Sequence, residues 1–316
     1  MSGGSVTRPL LNVHALREAV VAPGRLWHDV RVVAETGSTN TDLLAVSRSG
    51  ISEGVVLAAE VQSAGRGRMG RQFVSPPRAA LLFSVLLRPV AVPPPLRGWI
   101  ALLTGVAVAS ALRTEAAVDA RLKWPNDVLV NGAKLAGILT EQSGDAIVVG
   151  TGINVSTSRD ELPVPEATSL AQEGAAGTDR DRLLARVLTD LEHWYLCWTG
   201  ARGDASGCGL RQEYQRLCAT VGLPVRVSLP GGTTVAGTAS EVDSTGRLVV
   251  RSASGIVSVS AGDVVHVRLR GPRTSAAART SVKHAVGTAR CDRLCRRVPR
   301  CGAHCRYTCH DVAYGQ

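Results

Sequence analysis

Three arginines lie close together in one glycine-rich segment of the sequence, GRGRMGR at 65–71. Glycine lets a backbone approach a ligand closely, and a guanidinium fork can hold a carboxylate or a phosphate through two hydrogen bonds. The segment has the spacing G-x-G-x-x-G, but Pro76 and Pro77 follow where a dinucleotide-binding fold needs a helix, and no acidic residue follows until Glu115. The pattern therefore favours an anion-binding loop over a dinucleotide site, with a solvated basic turn as the ordinary alternative.

A second cluster, KWPND at 123–127, places an amide and a carboxylate where a predicted strand ends. Ligands of open α/β sheets usually bind at strand ends, and Asp127 could hold a Mg²⁺ ion that bridges phosphates. Lys134 follows seven residues later at the start of an apolar strand, from which its ammonium could point into a cleft. The ordinary alternatives are a turn shaped by Asn126 and Asp127, and a solvated strand end.

Two further segments, GSTN at 37–40 and GTGIN at 150–154, combine small residues with hydrogen-bonding side chains. The first begins a predicted helix and offers hydroxyls, an amide and free backbone N–H groups to a small polar head group. The second would bring a strand of small residues close to a flat ligand. Their alternatives are an ordinary helix N-cap and a tightly packed strand.

Hydrophobic patterning predicts the elements that must position these residues. Short apolar runs at 55–60 and 81–87 predict buried strands, and a longer apolar segment predicts a helix over about 96–113. Asn131-Gly132 predicts a two-residue hairpin turn. From about residue 223, short β-rich segments separated by glycine turns predict a small all-β barrel. The layout is therefore that of two domains.

Charge is distributed unevenly along the 316 residues, whose formal net charge is +10. Residues 271–316 contain nine Lys/Arg and two Asp/Glu, a net charge of +7, which leaves +3 for the other 270 residues. The high pI therefore describes a tail and does not indicate a nucleic-acid-binding face. No apolar stretch reaches about 18 residues without interruption and the N-terminus has no secretion signal, so we expect no membrane span and a cytoplasmic protein.

The same tail contains five of the eight cysteines. They are Cys291, Cys295, Cys301, Cys305 and Cys309, with His304 and His310 among them. A zinc knuckle or a disulfide cluster is one interpretation. No spacing is the C-x₂-C pair of common zinc sites, and cytosolic disulfides are rare. A disordered basic extension is therefore the favoured interpretation.

Together and in this order, the motifs resemble those of the biotin protein ligases (biotin–[acetyl-CoA-carboxylase] ligases). The matching stretches are ETGSTN (35–40), EVQSAGRGRMGR (60–71), LKWPNDVLVNGAKLAGILTE (122–141), GTGINV (150–155) and SAGDVVHVRL (260–269). The resemblance implies an α+β fold with a mixed β-sheet and flanking helices, class II synthetase-like and of the biotin/lipoate ligase type. A small C-terminal β-barrel would follow this sheet.

This resemblance also implies a division of the chain. An N-terminal segment with a short helix would occupy 1–28, and the catalytic biotin- and ATP-binding domain 29–221. The barrel would occupy 222–270, and the basic cysteine-rich tail 271–316.

Activity is implied in the same way. A member of the family makes biotinyl-5′-AMP from biotin and ATP, releases pyrophosphate, and transfers biotin to one lysine of a biotin carboxyl carrier domain. ATP and biotin would be substrates, Mg²⁺ would assist, and no cofactor would be permanently bound. Only 37 residues precede Ser38, too few for the DNA-binding domain of some members. We therefore expect no specific DNA partner, no membrane and a monomer or weak homodimer.

Two alternatives to this activity remain open. A lipoate or octanoate transferase would have the same architecture, although GRGRMGR together with KWPND favours biotin. A non-enzymatic nucleic-acid or zinc-binding module would depend on the tail.

Residue roles are carried over position by position from the resemblance. The expected catalytic residues are Lys134, Arg68 and Arg66. The expected biotin-binding residues are Ser38, Thr39, Asn40, Gln62, Arg66, Gly67, Arg68, Lys134, Gly137 and Gly152. The expected nucleotide-binding residues are Arg68, Arg71, Phe73, Asn126, Asp127, Lys134 and Asn154. Asp127 is also the expected Mg²⁺ ligand. Phe73 stands where the family often has Trp, and its ring can still stack on a base.

Overall fold

The structure, a computed structural model of the chain, describes residues 8–267. The basic tail, its cysteines and the interpretations attached to them lie outside the described residues.

Five helices and twelve strands are assigned within the described part. The helices α1–α5 are Val13–Val20, Thr39–Ser47, Trp99–Glu115, Arg180–Gly200 and Leu210–Leu217. Strands β1–β7 are Asp29–Val33, Val55–Ala59, Ala80–Leu87, Arg121–Lys123, Asp127–Val130, Ala133–Ser143 and Ala146–Asn154. Strands β8–β12 are Pro224–Ser228, Thr234–Val242, Leu248–Ser252, Gly255–Val259 and Asp263–His266.

The first seven strands form one mixed sheet in the order β1-β2-β3-β7-β6-β5-β4. Only β1 and β2 pair in parallel, and the other neighbours are antiparallel. The predicted hairpin joins β5 to β6, where Val130 pairs with Ala133 across Asn131 and Gly132. Both turn residues have positive φ, 50° and 80°, which an Asn-Gly pair adopts easily. The mixed sheet with flanking helices is confirmed.

Helices cover the two faces of this sheet. Alternate residues of β2 belong to different apolar clusters, because successive side chains of a strand point to opposite faces. Val56 and Ala58 belong to the larger cluster with α3 and α4, whereas Val55 and Leu57 pack with Leu43 of α2. The sheet is therefore buried on both faces, which explains its apolar strands.

Helix α3 is apolar almost all round its circumference and is the centre of the larger cluster. Together with the turn before it, the segment Pro94–Glu115 has the length and hydropathy of a membrane span, yet 67% of its most apolar window is buried within the fold. Burial against the sheet and α4 accounts for this composition, as in the core helix of a globular protein.

Strands β8–β12 form a separate antiparallel sheet in the order β11-β10-β9-β8-β12. The predicted C-terminal β domain is thus confirmed as a five-stranded sheet. Within the described residues β11 and β12 lie at its two edges and do not pair with each other. Two tryptophans of the first domain contact the turn between β9 and β10: Trp99 Nε1 donates to Ser244 O at 2.8 Å, and Trp124 Nε1 to Gly246 O at 3.0 Å.

Candidate active site

One cavity of about 120 Å³ opens where β6 and β7 meet the start of α2 and the glycine-arginine loop after β2. It brings together residues that are distant in the sequence but were predicted to share a site. The predicted residues that line it are Ser38, Thr39, Asn40, Gln62, Arg66, Gly67, Arg68, Arg71, Phe73, Asn126, Asp127, Lys134, Gly137 and Gly152.

Asn154 is the predicted site residue that does not line the cavity. Its side chain is buried, and Nδ2 donates to the Thr168 carbonyl at 2.9 Å. This bond fixes the end of β7 to the following loop. A nucleotide-binding role for Asn154 stays a prediction.

The first turn of α2 organises the neutral polar end of the cavity. Ser38 is the N-cap residue, yet its hydroxyl makes no capping hydrogen bond. Gln62 Oε1 instead accepts from the Thr39 backbone N–H at 2.8 Å. Ser84 Oγ donates to Asn40 Oδ1 at 2.6 Å and lies 2.6 Å from Thr39 Oγ1. The N-cap alternative therefore does not account for the Ser38 side chain, which is available to a ligand in the cavity.

Strand β7 forms one wall of the cavity, and its glycines leave room for neighbouring side chains. A Cβ at Gly150 would lie 2.2 Å from Asn40 Oδ1, and a Cβ at Gly152 would lie 2.7 Å from the ring of Phe73. Between them Thr151 has a buried hydroxyl that has no hydrogen-bond partner within the described residues, and such an atom is costly. Because successive side chains of a strand point to opposite faces, this hydroxyl lies on the face that packs with Phe83 and Ile138, away from the face of Gly150 and Gly152.

The glycine-arginine loop folds as a small hairpin. Phe73 N–H donates to Gly65 O at 3.0 Å, and Gly67 N–H donates to Arg71 O at 2.7 Å. At the tip Met69 has φ +56°, in the left-handed region. These bonds give the loop a defined shape, and its arginines reach different parts of the cavity rim.

Arg66 extends toward the neutral polar end. Its guanidinium lies 2.9 Å from Glu141 Oε1, and Asn40 Nδ2 donates to Glu141 Oε2 at 2.9 Å. Glu141 on β6 therefore connects the loop to the start of α2. Sequence reasoning gave Glu141 no role, although it ends one of the matching stretches.

Lys134 and Arg68 lie at the charged end. Lys134 Nζ lies 2.6 Å from Asp127 Oδ1, and Arg68 donates to Asn126 Oδ1 at 2.9 Å. Asn126 is held in turn by β6, because its Nδ2 donates to Ile138 O and its carbonyl accepts from the Ile138 N–H, each at 2.9 Å. The KWPND segment thus positions both cations and is more than a turn.

Asp263 brings a carboxylate from the C-terminal sheet to the same cavity, with Oδ2 2.5 Å from Arg71 Nη2. Burial raises the pKa of Asp263, but the hydrogen bond from Arg71 and nearby positive charges outweigh it, so this pKa lies below its usual value. Burial lowers the pKa of the Arg68 guanidinium, against the opposing charges of Asp127 and Asp263. A bound anion would therefore stabilise the charged form of Arg68.

Asp127 and Asp263 are the carboxylates that line the cavity. Within residues 8–267 no group of three or more His, Cys, Asp or Glu is arranged to hold a metal ion. Mg²⁺ needs fewer protein ligands, because one or two carboxylates usually hold it together with water and substrate phosphates. Asp127 Oδ1 is buried and, apart from its contact with Lys134, has no hydrogen-bond partner in the described chain. These residues fit a Mg²⁺ ion that arrives with a polyphosphate.

Several lining residues were not predicted. They are Met69, Gln72, Phe83, Ile138, Leu139, Gly150, Thr151 and Asp263. Most are neighbours of predicted residues within the same motifs. Asp263 is the exception, because only tertiary structure brings the last described strand to the cavity. Its signal in the sequence was that it falls within the matching stretch at 260–269.

Comparisons with known proteins agree with this geometry. The biotin/lipoate A/B protein ligase family model matches residues 32–158, and the biotin protein ligase C terminal domain model matches residues 220–267. The biotin–[acetyl-CoA-carboxylase] ligase of Mycobacterium tuberculosis is 44% identical over 265 residues, which cover 83% of this chain and 97% of that protein. The bifunctional ligase/repressor BirA of Bacillus subtilis is 30% identical over 260 residues, covering 79% of this chain and 76% of that protein.

A solved structure gives the same result for the fold. The biotin protein ligase from Aquifex aeolicus in complex with biotin and ATP superposes with a TM-score of 0.64 at 28% sequence identity. The match covers 77% of this chain and 100% of that one. Because both family models, the full-length relative and the fold agree, the chain belongs to the biotin protein ligase family.

Proposed function

We propose that this protein activates biotin with ATP to give biotinyl-5′-AMP and pyrophosphate, and then transfers biotin to a lysine of a biotin carboxyl carrier domain. One observation supports this most strongly: a single cavity joins a neutral hydrogen-bonding end to a cationic end. Biotin combines a neutral ureido group with a carboxylate. The two ends of the cavity therefore match the two ends of the vitamin.

The neutral end supports a role in holding the ureido ring. Ser38, Thr39, Asn40 and Gln62 offer donors and acceptors around one small space. Ser84 holds the side chains of Thr39 and Asn40 in place before a ligand arrives, and Gln62 is held through its hydrogen bonds from Thr39. Preorganised polar groups of this kind select a ligand by penalising any group that leaves them unpaired. Lipoate has a disulfide ring without amides, and it would therefore leave these polar groups unpaired.

The positive charge at the other end of the cavity supports the attack of biotin on ATP. A biotin carboxylate must approach the α-phosphorus of ATP, so two anions have to be brought together. Lys134 and Arg68 offset that repulsion and stabilise the charge that develops on the phosphoryl oxygens. Arg66 and Gly67 would close the hairpin over biotin. No protein nucleophile is needed, because the substrate carboxylate forms the new bond to phosphorus and pyrophosphate leaves with the electrons of the broken P–O bond.

Nucleotide and metal roles are assigned on the same basis. Asn126, Asp127 and Arg71 would face the nucleotide, and Phe73 offers a ring on which adenine could stack. Asp127 would hold Mg²⁺, which neutralises polyphosphate charge when bound. Gly137 and Gly152 would line the pocket beside the adenylate, where their lack of a side chain leaves room for Lys134 and for the Phe73 ring.

The proposed partner is a biotin carboxyl carrier domain of a carboxylase. We propose that the enzyme has no specific DNA target and no membrane contact, is a monomer or weak homodimer, and acts in the cytoplasm.

A direct test uses the full-length protein with ATP, Mg²⁺ and a purified biotin carboxyl carrier domain. With biotin we expect the mass gain of one biotinyl group on the acceptor, and none on an acceptor whose target lysine is replaced by arginine. Lipoate in place of biotin should give no product. Modification by lipoate and not by biotin would reverse the assignment of substrate.

A further inference from the structure

A continuous chain of hydrogen-bonding side chains stands behind the neutral polar end of the active-site cavity. Glu141 and Ser84 lie behind the residues that line the cavity, and Asn40 lies between them. Asn40 Nδ2 donates to Glu141 Oε2 at 2.9 Å, and Asn40 Oδ1 accepts from Ser84 Oγ at 2.6 Å. Ser84 Oγ lies 2.6 Å from Thr39 Oγ1, which belongs to the cavity lining. A carboxylate is thus connected to a hydroxyl of the lining through two intermediate side chains.

The neutral members of this chain can be hydrogen-bonded in either of two directions, because amides and hydroxyls both donate and accept. In the first direction Thr39 donates to Ser84, and Ser84 donates to the Asn40 amide oxygen. The Asn40 amide N–H then donates to Glu141. In the second direction the Asn40 amide is turned over, so that its N–H donates to Ser84, and Ser84 donates to Thr39. Thr39 then donates to Gln62 Oε1, which lies 3.1 Å from its Oγ1.

Glu141 allows only the first direction. An ionised carboxylate accepts hydrogen bonds and has none to donate, so a turned-over amide would place the Asn40 oxygen against a second acceptor. The Leu139 carbonyl lies 3.3 Å from the same Asn40 nitrogen and adds to this preference. The other carboxylate oxygen of Glu141 lies 2.9 Å from Arg66 Nη1, a group that only donates.

Close packing fixes the position of the Asn40 side chain. It is buried, and a Cβ at Gly150 would lie 2.2 Å from Asn40 Oδ1, so the backbone of β7 packs directly against the amide. Ser84 is fully buried on β3. Since these heavy atoms have little room to move, the direction of the hydrogen bonds is the freedom that remains in the chain, and the group at position 141 decides it.

This direction determines what Thr39 presents to a ligand. When its single hydroxyl proton is donated to Ser84, both lone pairs of Oγ1 are free to accept. In the second direction one lone pair would be used by Ser84 and the proton by Gln62. Accepting the proposed function, we propose that Glu141 is a positioning residue for biotin: through Asn40 and Ser84 it keeps the Thr39 hydroxyl an acceptor for a ureido N–H group.

Calorimetric titration of the full-length protein with biotin tests this role. Glutamine has the size of glutamate, but its amide can donate, so Glu141→Gln permits the second direction. We expect biotin to bind about tenfold more weakly to this variant, which corresponds to one hydrogen bond. In biotin-dependent pyrophosphate–ATP exchange at saturating biotin, the KM for ATP should stay within about twofold of wild type, because the chain ends at the neutral end of the cavity.

A double-mutant cycle separates this role from the contact between Glu141 and Arg66. Ser84→Ala interrupts the chain between Asn40 and Thr39, so the direction set by Glu141 no longer reaches the cavity. We therefore expect Glu141→Gln to weaken biotin binding by less than about threefold in the Ser84→Ala background. The same loss in both backgrounds would assign Glu141 to Arg66 alone and overturn the proposal.

Asp145→Asn is the matched control, since it makes the same carboxylate-to-amide change in the turn between β6 and β7. Asp145 also pairs with an arginine, Arg88, but it is exposed and lies outside the described cavity lining. This variant should bind biotin like the wild type. Urea unfolding of each variant verifies that it is folded.

The outcomes distinguish this role from the proposed function. Biotin affinity within twofold of wild type in Glu141→Gln overturns the positioning role, even if the wild type biotinylates the carrier domain. If the cycle gives the expected coupling but the wild type does not modify the carrier domain, Glu141 positions a biotin site and the proposed function fails.

Discussion

Lys134 borders the cavity with its Nζ held 2.6 Å from Asp127, so its charge is fixed where the carboxylate and phosphate are proposed to meet. Removing one electrostatic contact to a transition state typically lowers a rate by about 10²- to 10³-fold. We therefore expect Lys134→Ala to slow biotin-dependent pyrophosphate–ATP exchange by about 10²-fold or more. Lys134→Arg keeps the charge and should retain more activity. Exchange at the wild-type rate in the alanine variant would remove Lys134 from the mechanism.

Thr151 permits a second test at the scale of one atom. Its hydroxyl is buried without a partner in the described chain, on the face of β7 opposite Gly150 and Gly152, and valine has nearly the same shape without the hydroxyl. Thr151→Val removes an unsatisfied polar group, so the thermal midpoint of the ligand-free protein should stay the same or rise. Biotin affinity in a calorimetric titration should stay within about twofold of wild type, because the hydroxyl does not face the cavity. A lower thermal midpoint would contradict this prediction.

At the scale of elements, the strands and the β5–β6 hairpin could be predicted because their signals are local. Apolar runs of strand length and an Asn-Gly pair specify backbone conformation within a few residues. The glycine-arginine loop gives no such signal. Its shape depends on the hydrogen bond between Phe73 and Gly65 and on the open wall at Gly152, which a pattern of glycines and arginines does not specify.

A buried ion pair fixes the end of β2, from which that loop begins. Arg180 Nη2 lies 2.8 Å from Glu60 Oε2, and the two side chains are only 6% and 5% exposed. Arg180 also donates to Ala80 O at 3.1 Å, and Glu60 Oε1 accepts from the Leu11 N–H at 2.6 Å. Removing one partner of a buried pair leaves an uncompensated charge, so Arg180→Ala should lower the free energy of unfolding by about 3–5 kcal/mol.

Urea unfolding measures this loss, and a neighbouring arginine provides its control. The Arg182 side chain is 76% exposed, and its Nε lies 3.6 Å from Glu115 Oε2. Exposed pairs contribute about 0–1 kcal/mol, so Arg182→Ala should have little effect. Equal losses in the two variants would show that burial of the Glu60 pair is not what stabilises this region.

At the scale of the whole molecule, the site depends on contacts that no local pattern contains. Asp263 reaches Arg71 across 192 positions of the chain, and Trp99 and Trp124 donate hydrogen bonds that hold the turn between β9 and β10 against the first domain. Sequence reasoning could therefore identify the motifs and predict that they converge. It could not predict that the C-terminal sheet adds the charged residue Asp263 to the active-site cavity.

The active-site cavity is built from residues between Ser38 and Asp263. A chain ending at residue 270 retains every one of these side chains. We therefore expect it to biotinylate a carrier domain with a kcat/KM within about twofold of the full chain, because the neutral polar end of the cavity and its fixed cations are both kept. The thermal midpoint of the shortened chain verifies that it folds. Loss of activity in a folded shortened chain would mean that the basic tail takes part in catalysis or in carrier binding, and would revive the alternative in which function depends on residues 271–316.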